Sequence, residues 1–113
     1  MKSWPACARS SWLPSPMPIE LSDEAQADAD TAIDWYLQQG ALTAADDFVE
    51  EIDRTLQLLS RFPELGVPGP HDTRALILHR LPYSLIYRLH VEVIRVIAIA
   101  HHSRRPGYWA GRR

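Results

Sequence analysis

Residues 83–100 read YSLIYRLHVEVIRVIAIA, and this stretch decides the fold. Tyr83, Leu85, Tyr87 and Leu89 alternate with Ser84, Ile86, Arg88 and His90, the two-residue period of a strand whose faces meet different surroundings. Tyr83 and Tyr87 share a face with two leucines and are therefore read as core. Val93–Ala100 is almost wholly apolar and rich in β-branched side chains, the composition of a central strand buried on both faces. The link around His90–Glu92 is short enough for a hairpin.

Upstream, Ala75–His79 is a short apolar run closed off by Pro82, which predicts a further strand. Glu64–Asp72 contains Gly66, Pro68, Gly69 and Pro70 and reads as a loop. Before it come two helical stripes. Ala25, Ala29, Ala32, Ile33, Tyr36 and Leu37 line one face of a first helix, with Trp35 and Tyr36 read as packing residues. Ser22 is its expected N-cap, Asp23 and Glu24 suit the positive end of its dipole, and Gly40 ends it. Ala45, Phe48, Val49, Ile52, Leu56 and Leu59 line a second helix. Thr43 is expected to cap it with Asp46 three residues on, and Phe62–Pro63 closes it. Ile19–Leu21 reads as a short opening strand. The order is β-α-α-β-β-β, an α+β fold in which an antiparallel sheet packs against an N-terminal helical hairpin.

The 113 residues allow one modest core, and 46% apolar with 23% charged residues is ordinary globular composition. Residues 1–16, with scattered Ser, Pro, Trp4 and Trp12, lack any period and are expected to be a disordered or loosely packed extension; residues 17–113 form the domain. Trp4 and Trp12 have a second reading, as anchors of that extension. Cys7 is the only cysteine, so no internal disulfide and no cysteine metal cluster forms. No apolar run approaches the roughly 20 residues of a membrane span, and the protein is expected in the cytoplasm. Charge is asymmetric: residues 1–65 carry four basic side chains against twelve acids, and residues 66–113 carry eight arginines against two acids. The second part reads as a basic surface for nucleic acid or an acidic protein segment, or as a solvated sheet beside an acidic helical face.

Three segments carry a family resemblance. Pro82-Tyr83-Ser84-Leu85-Ile86-Tyr87-Arg88 resembles the strand of RelE/ParE toxins that bears a Pro-Tyr and then a Tyr-Arg. Residues 97–109, from Ile97 through His101, His102, Arg104 and Arg105 to Tyr108-Trp109, resemble the family's terminal strand, its Ala-His, its basic pair and its closing Tyr-Trp. Glu20-Leu21-Ser22-Asp23-Glu24-Ala25 resembles its opening. The resemblance spans residues 17–113 in the same element order. It implies the toxin of a type II toxin–antitoxin module, as in plasmid stabilisation, held in a hetero-oligomer by a small DNA-binding antitoxin. ParE-like members inhibit DNA gyrase; RelE-like members cut mRNA on the ribosome. A non-toxic antitoxin-binding module is the third reading, so whether the chain is an enzyme stays open.

Metal-free RNA cleavage needs a base, an acid and a cation on the phosphate. His101, His102, Arg104, Arg105 and Tyr108 supply those types within eight residues and are the catalytic candidates if the chain is a nuclease, with His79, Arg80 and Arg88 able to join across the sheet. Each also has a structural reading: arginines for solubility, histidines as strand residues, Tyr108 and Trp109 as cover for the sheet. Adjacent histidines point opposite ways on a strand, so a shared metal is not expected, nor is any cofactor. Arg74, Arg80, Arg88, Arg104, Arg105 and Trp109 are the candidates for target or antitoxin contact. The absence of lysine after Lys2, and Ser84 where RelE-like members place an arginine, tilt the reading toward a gyrase inhibitor.

Overall fold

The strand β5 (Ile94–His101) is the axis of the molecule. The computed structural model describes residues 16–79, 81–103 and 107–112. In it Ile94, Val96, Ile97 and Ala98 are fully buried, as an apolar run without polar alternation requires. β4 (Tyr83–Leu89) pairs antiparallel with β5 through a hairpin in which the His90 N–H donates to the Val93 carbonyl. β3 (Arg74–Ile77) pairs antiparallel with β4. On the other side of β5 lies β1 (Ile19–Leu21), and this pairing is parallel, Ile19 opposite Ile94. The expected α+β architecture is present, but the sheet is mixed rather than wholly antiparallel. A three-residue strand reveals its burial in sequence but not its direction.

The proposed 64–72 loop contains one more strand, β2 (Val67–Pro68), antiparallel to β3, so the order is β1-β5-β4-β3-β2. Pro68 is tolerated because β2 is an edge. His71 and Asp72 both have positive φ, 62° and 58°, which lets a tight turn reverse the chain between β2 and β3.

The helices follow their stripes. α1 (Asp23–Gln38) begins at Ser22, whose Oγ accepts the Ala25 N–H at 3.1 Å. It ends in a Schellman turn: the Gly40 N–H donates to Leu37 and the Ala41 N–H to Tyr36, with Gly40 at φ 72°. That turn delivers the chain straight into α2 (Leu42–Arg61), so Ala41 is the N-cap and makes no side-chain cap bond. Thr43 and Asp46 are therefore not the expected capping box; both already lie inside the helix. A Cβ on Gly40 would meet nothing within 4 Å, so the cost of Gly40→Ala is conformational alone, about 1 kcal/mol. Urea denaturation should show a lower midpoint with an unchanged slope.

Ala25, Ala29 and Ala32 of α1 and Phe48, Ile52, Leu56 and Leu59 of α2 pack on Tyr83, Leu85, Tyr87, Ile94, Val96 and Ile99 of the sheet. Edge-on and tilted ring contacts run from Trp35 through Tyr36, Phe48 and Tyr83 to His101, with centroids 5.4, 6.1, 5.1 and 4.9 Å apart. Trp35 closes this ladder at the surface and is 56% exposed, so it is not the packing residue expected. Burial, with Tyr36 adding to it, pushes the Tyr83 hydroxyl above the usual tyrosine range. Buried Tyr87 donates to the Pro63 carbonyl at 2.8 Å and accepts the Gly66 N–H at 2.9 Å, tying the loop after α2 to β4. Gly66 is required there: a Cβ would sit 2.8 Å from the Tyr87 hydroxyl.

The pairing of β4 with β5 is interrupted once. Ile86 is opposite Ala98 and Tyr87 opposite Val96, leaving Ile97 as the extra residue of a bulge. Ile97 and Ala98 consequently share the face turned away from the helices. There they join Ile86 and Ala100 in a second, smaller cluster.

Candidate interaction site at the C-terminal turn and open sheet face

β1 covers β5 only as far as Val96, whose carbonyl accepts the Ser22 N–H at 2.9 Å. Beyond that point the edge of β5 is satisfied by side chains. The Ile97 carbonyl accepts Arg112 Nη1 at 3.0 Å, and the Ile99 N–H donates to Asp28 Oδ2 at 3.1 Å. Asp28 and Arg112 pair with each other, Nη1 to Oδ2 at 2.7 Å, with side chains only 13% and 19% exposed. The Tyr108 hydroxyl donates to the same Oδ2 at 3.4 Å, and the Arg112 guanidinium lies 5.1 Å from the Tyr108 ring centre. Burial works against the Arg112 charge, but the bond and charge of Asp28 outweigh it and hold the guanidinium above its usual range.

This lock closes a turn over residues 107–112, in which the Ala110 N–H bonds to Gly107 and the Arg112 N–H to Trp109. Tyr108 and Trp109 lie on Ile86, Ile97, Ala98 and Ala100, the sheet cover that one of their two readings assigned them. Arg88 spans the site: its Nη1 donates to the Arg112 carbonyl at 2.6 Å and its Nε to the His71 carbonyl at 3.0 Å. Arg74 likewise donates to the Gly66 and Glu64 carbonyls, at 2.8 and 3.1 Å. Carbonyls fix these guanidinium groups without neutralising them, so both still add positive potential to the surface. Arg95, by contrast, pairs with Glu20 at 2.6 Å. Arg80, Arg104 and Arg105 lie outside the described residues.

The bulge fixes where each histidine points. His101 turns to the helix side against Tyr83, and its Nδ1 accepts the Ser103 N–H at 3.0 Å. His102 turns to the open side, with Nε2 3.0 Å from Ser84 Oγ and its N–H on the Pro82 carbonyl at 2.8 Å. The two imidazoles therefore do not converge, and Tyr108 is directed at Asp28. His79 sits elsewhere, its N–H on Glu51 at 2.8 Å. Arg54, bonded to Glu51 at 2.6 Å, is the main cause of that carboxylate's lowered pKa. Among the described residues no three His, Cys, Asp or Glu side chains gather as a metal site, and no helix is long and apolar enough to cross a membrane.

Asp28 and Arg112 were not among the sequence candidates. The signal for Asp28 was present: it falls within the Ala25, Ala29, Ala32 stripe, on the flank that faces the sheet. Arg112 gave none, since its partner is distant in the chain.

Residues 19–106 match the model of a family described as the ParE toxin of type II toxin–antitoxin system, parDE. A solved chain of the chromosomal ParDE TA system from P. aeruginosa is similar at 25% identity and a TM-score of 0.65, over 75% of this chain and 95% of that one. No curated protein matches. A family model covering most of the chain, on a fold with this strand order, makes the protein a member of the ParE family of type II toxin–antitoxin toxins.

Proposed function

We propose that this toxin inhibits DNA gyrase by protein–protein contact and that a cognate antitoxin neutralises it in a hetero-oligomer. The observation that carries the reading is the divergence of His101 and His102 onto opposite sheet faces. A nuclease needs its base, acid and phosphate cation around one reacting group. What the C-terminal end offers instead is a preformed surface: the locked 107–112 turn, Trp109 and the positive Arg88. Arg104 and Arg105, next to this turn in sequence, belong to the same proposed contact.

The antitoxin docks, in this reading, at the far edge of the sheet. β2 covers only Arg74 and Ala75 of β3, and Val67 in β2 and Ile77 at the uncovered end of β3 are 71% and 70% exposed. An added strand at that edge would bury both, with acids of the partner meeting the arginines. With purified gyrase, the toxin should abolish supercoiling at a stoichiometric excess, and equimolar antitoxin should restore it. Unimpaired supercoiling, together with ribosome toeprints showing cuts at A-site codons, would replace this reading with the RelE-like one.

A further inference from the structure

Arg88 rises half-buried from β4 and ends between two turns that are distant in the chain. Its Nη1 donates to the Arg112 carbonyl of the C-terminal turn at 2.6 Å, and its Nε to the His71 carbonyl of the β2–β3 turn at 3.0 Å. Among the described residues no other side chain bonds to both turns. The guanidinium is planar, so these two donors keep a fixed angle to each other. One carbonyl cannot move far and keep its bond unless the other follows or lets go. Both bonds have a charged donor, the stronger class of hydrogen bond. Arg95, directly opposite Arg88 on β5, is itself paired with Glu20.

The β2–β3 turn is held in a costly conformation. His71 and Asp72 lie in the left-handed region, at φ 62° and 58°, which residues with a Cβ enter at a cost. Such backbone persists where its surroundings over-determine it. Within the turn, the Thr73 N–H and Oγ reach the Pro70 carbonyl at 3.3 and 2.7 Å, and the Gly69 N–H meets the Thr73 carbonyl at 2.8 Å. The Arg88 bond to His71 is the tie that comes from outside it. The turn therefore has a relaxed alternative that this bond opposes.

We infer that Arg88 is a positioning residue that couples the two turns, so that loosening either one loosens the other. The coupling is reciprocal, as any link between two equilibria must be. It gives Arg88 a task other than touching a partner directly. Its meaning for the toxin rests on the proposed function, in which β2 belongs to the antitoxin edge and the 107–112 turn to the gyrase contact. An antitoxin that reshaped the His71–Asp72 turn would then loosen the contact surface without covering it.

Amide exchange of the full-length ¹⁵N-labelled protein tests the link without either partner. Thr73→Val removes the hydroxyl tie at the β2–β3 turn and touches nothing at the C-terminal turn. It should accelerate exchange of Ala110 and Arg112 by about 2- to 30-fold, the span of couplings carried by packed networks. In the reverse direction, Asp28→Asn should accelerate Gly69 and Thr73. Arg88→Met keeps the stem without the donors, and in that background neither substitution should be felt at the far turn. Arg88→Lys keeps the charge but lacks the planar fork, and should break the transmission as well. Leu85 and Val96 report global stability and should stay protected throughout. Responses that persist in both Arg88 variants, or that are absent with Arg88 intact, overturn the inference. So does acceleration that reaches Leu85 and Val96 equally, which would make Arg88 a general prop of the fold. A toxin without effect on gyrase would remove the proposed target and leave these exchange results unchanged.

Discussion

A Phe48→Ala chain should unfold about 3–5 kcal/mol more easily than the parent, the largest loss expected of any single truncation in this core. Phe48 is fully buried between the two helices and the sheet: Tyr36 of α1 lies on one side and Tyr83 of β4 on the other. Deleting it removes the transfer free energy of a large side chain. It also leaves a void that two rings held from separate elements cannot collapse to fill. At roughly 4–8 °C of Tm per kcal/mol for a domain of this size, a fall on the order of 15 °C or more is expected in calorimetry. Phe48→Leu should lose less than half as much, because it keeps most of the volume. Equal losses for the two variants would show that the aromatic contacts, rather than the filled space, hold the helices to the sheet.

The second large effect is expected at Asp28. Its carboxylate serves the Ile99 N–H, Arg112 and the Tyr108 hydroxyl together. Asp28→Ala leaves a strand N–H without its acceptor and a mostly buried guanidinium without its counter-charge, a loss of about 2–3 kcal/mol once partial exposure is allowed for. The damage should be uneven. The 107–112 turn, then held by the Arg88 bond and by the packing of Tyr108 and Trp109 on the sheet, should open locally below the global unfolding free energy. Amide exchange of Ala110 and Arg112 should therefore accelerate by roughly 30- to 150-fold while Leu85 and Val96 stay protected. Asp28→Asn keeps an acceptor for Ile99 but loses the charge, and should fall between the two. If the turn forms the gyrase contact, Asp28→Ala should also lose toxicity while remaining folded. Full toxicity with an open turn would place that contact elsewhere.

These two residues mark the limit of what the sequence discloses. Phe48 was legible because helical periodicity places it on a stripe, and burial follows from the stripe. The same holds for Ser22, Gly40, Tyr83 and Tyr87, whose roles depend on neighbours a few residues away or on strand alternation. The direction of β1, the β2 strand and the pairing of Asp28 with Arg112 depend on partners far along the chain; local pattern turns Asp28 toward the sheet but does not name its partner. The expected Thr43 cap failed for a related reason: the Schellman turn at Gly40 settles where α2 begins before Thr43 is reached. At the candidate site, alternation correctly separated His101 from His102 but could not say which faces the helices. Arg74 and Arg88 read as candidates for target or antitoxin contact, but the carbonyls that hold them come from loops whose course no motif announces.

The bulge at Ile97 has a consequence for how this strand can change length. Removing Ile97 would restore regular pairing of Ala98 with Ile86 and Val96 with Tyr87, and every later residue would keep its side of the sheet. A deletion at any other point in β5 would reverse the faces of all that follows unless the bulge moved to compensate. Ile97 thus marks a place where one residue can be gained or lost without disturbing His101, His102 or the approach to the C-terminal turn. Insertions and deletions among relatives should collect at this position, and an alignment made without regard to side-chain facing would misplace the terminal motif by one residue.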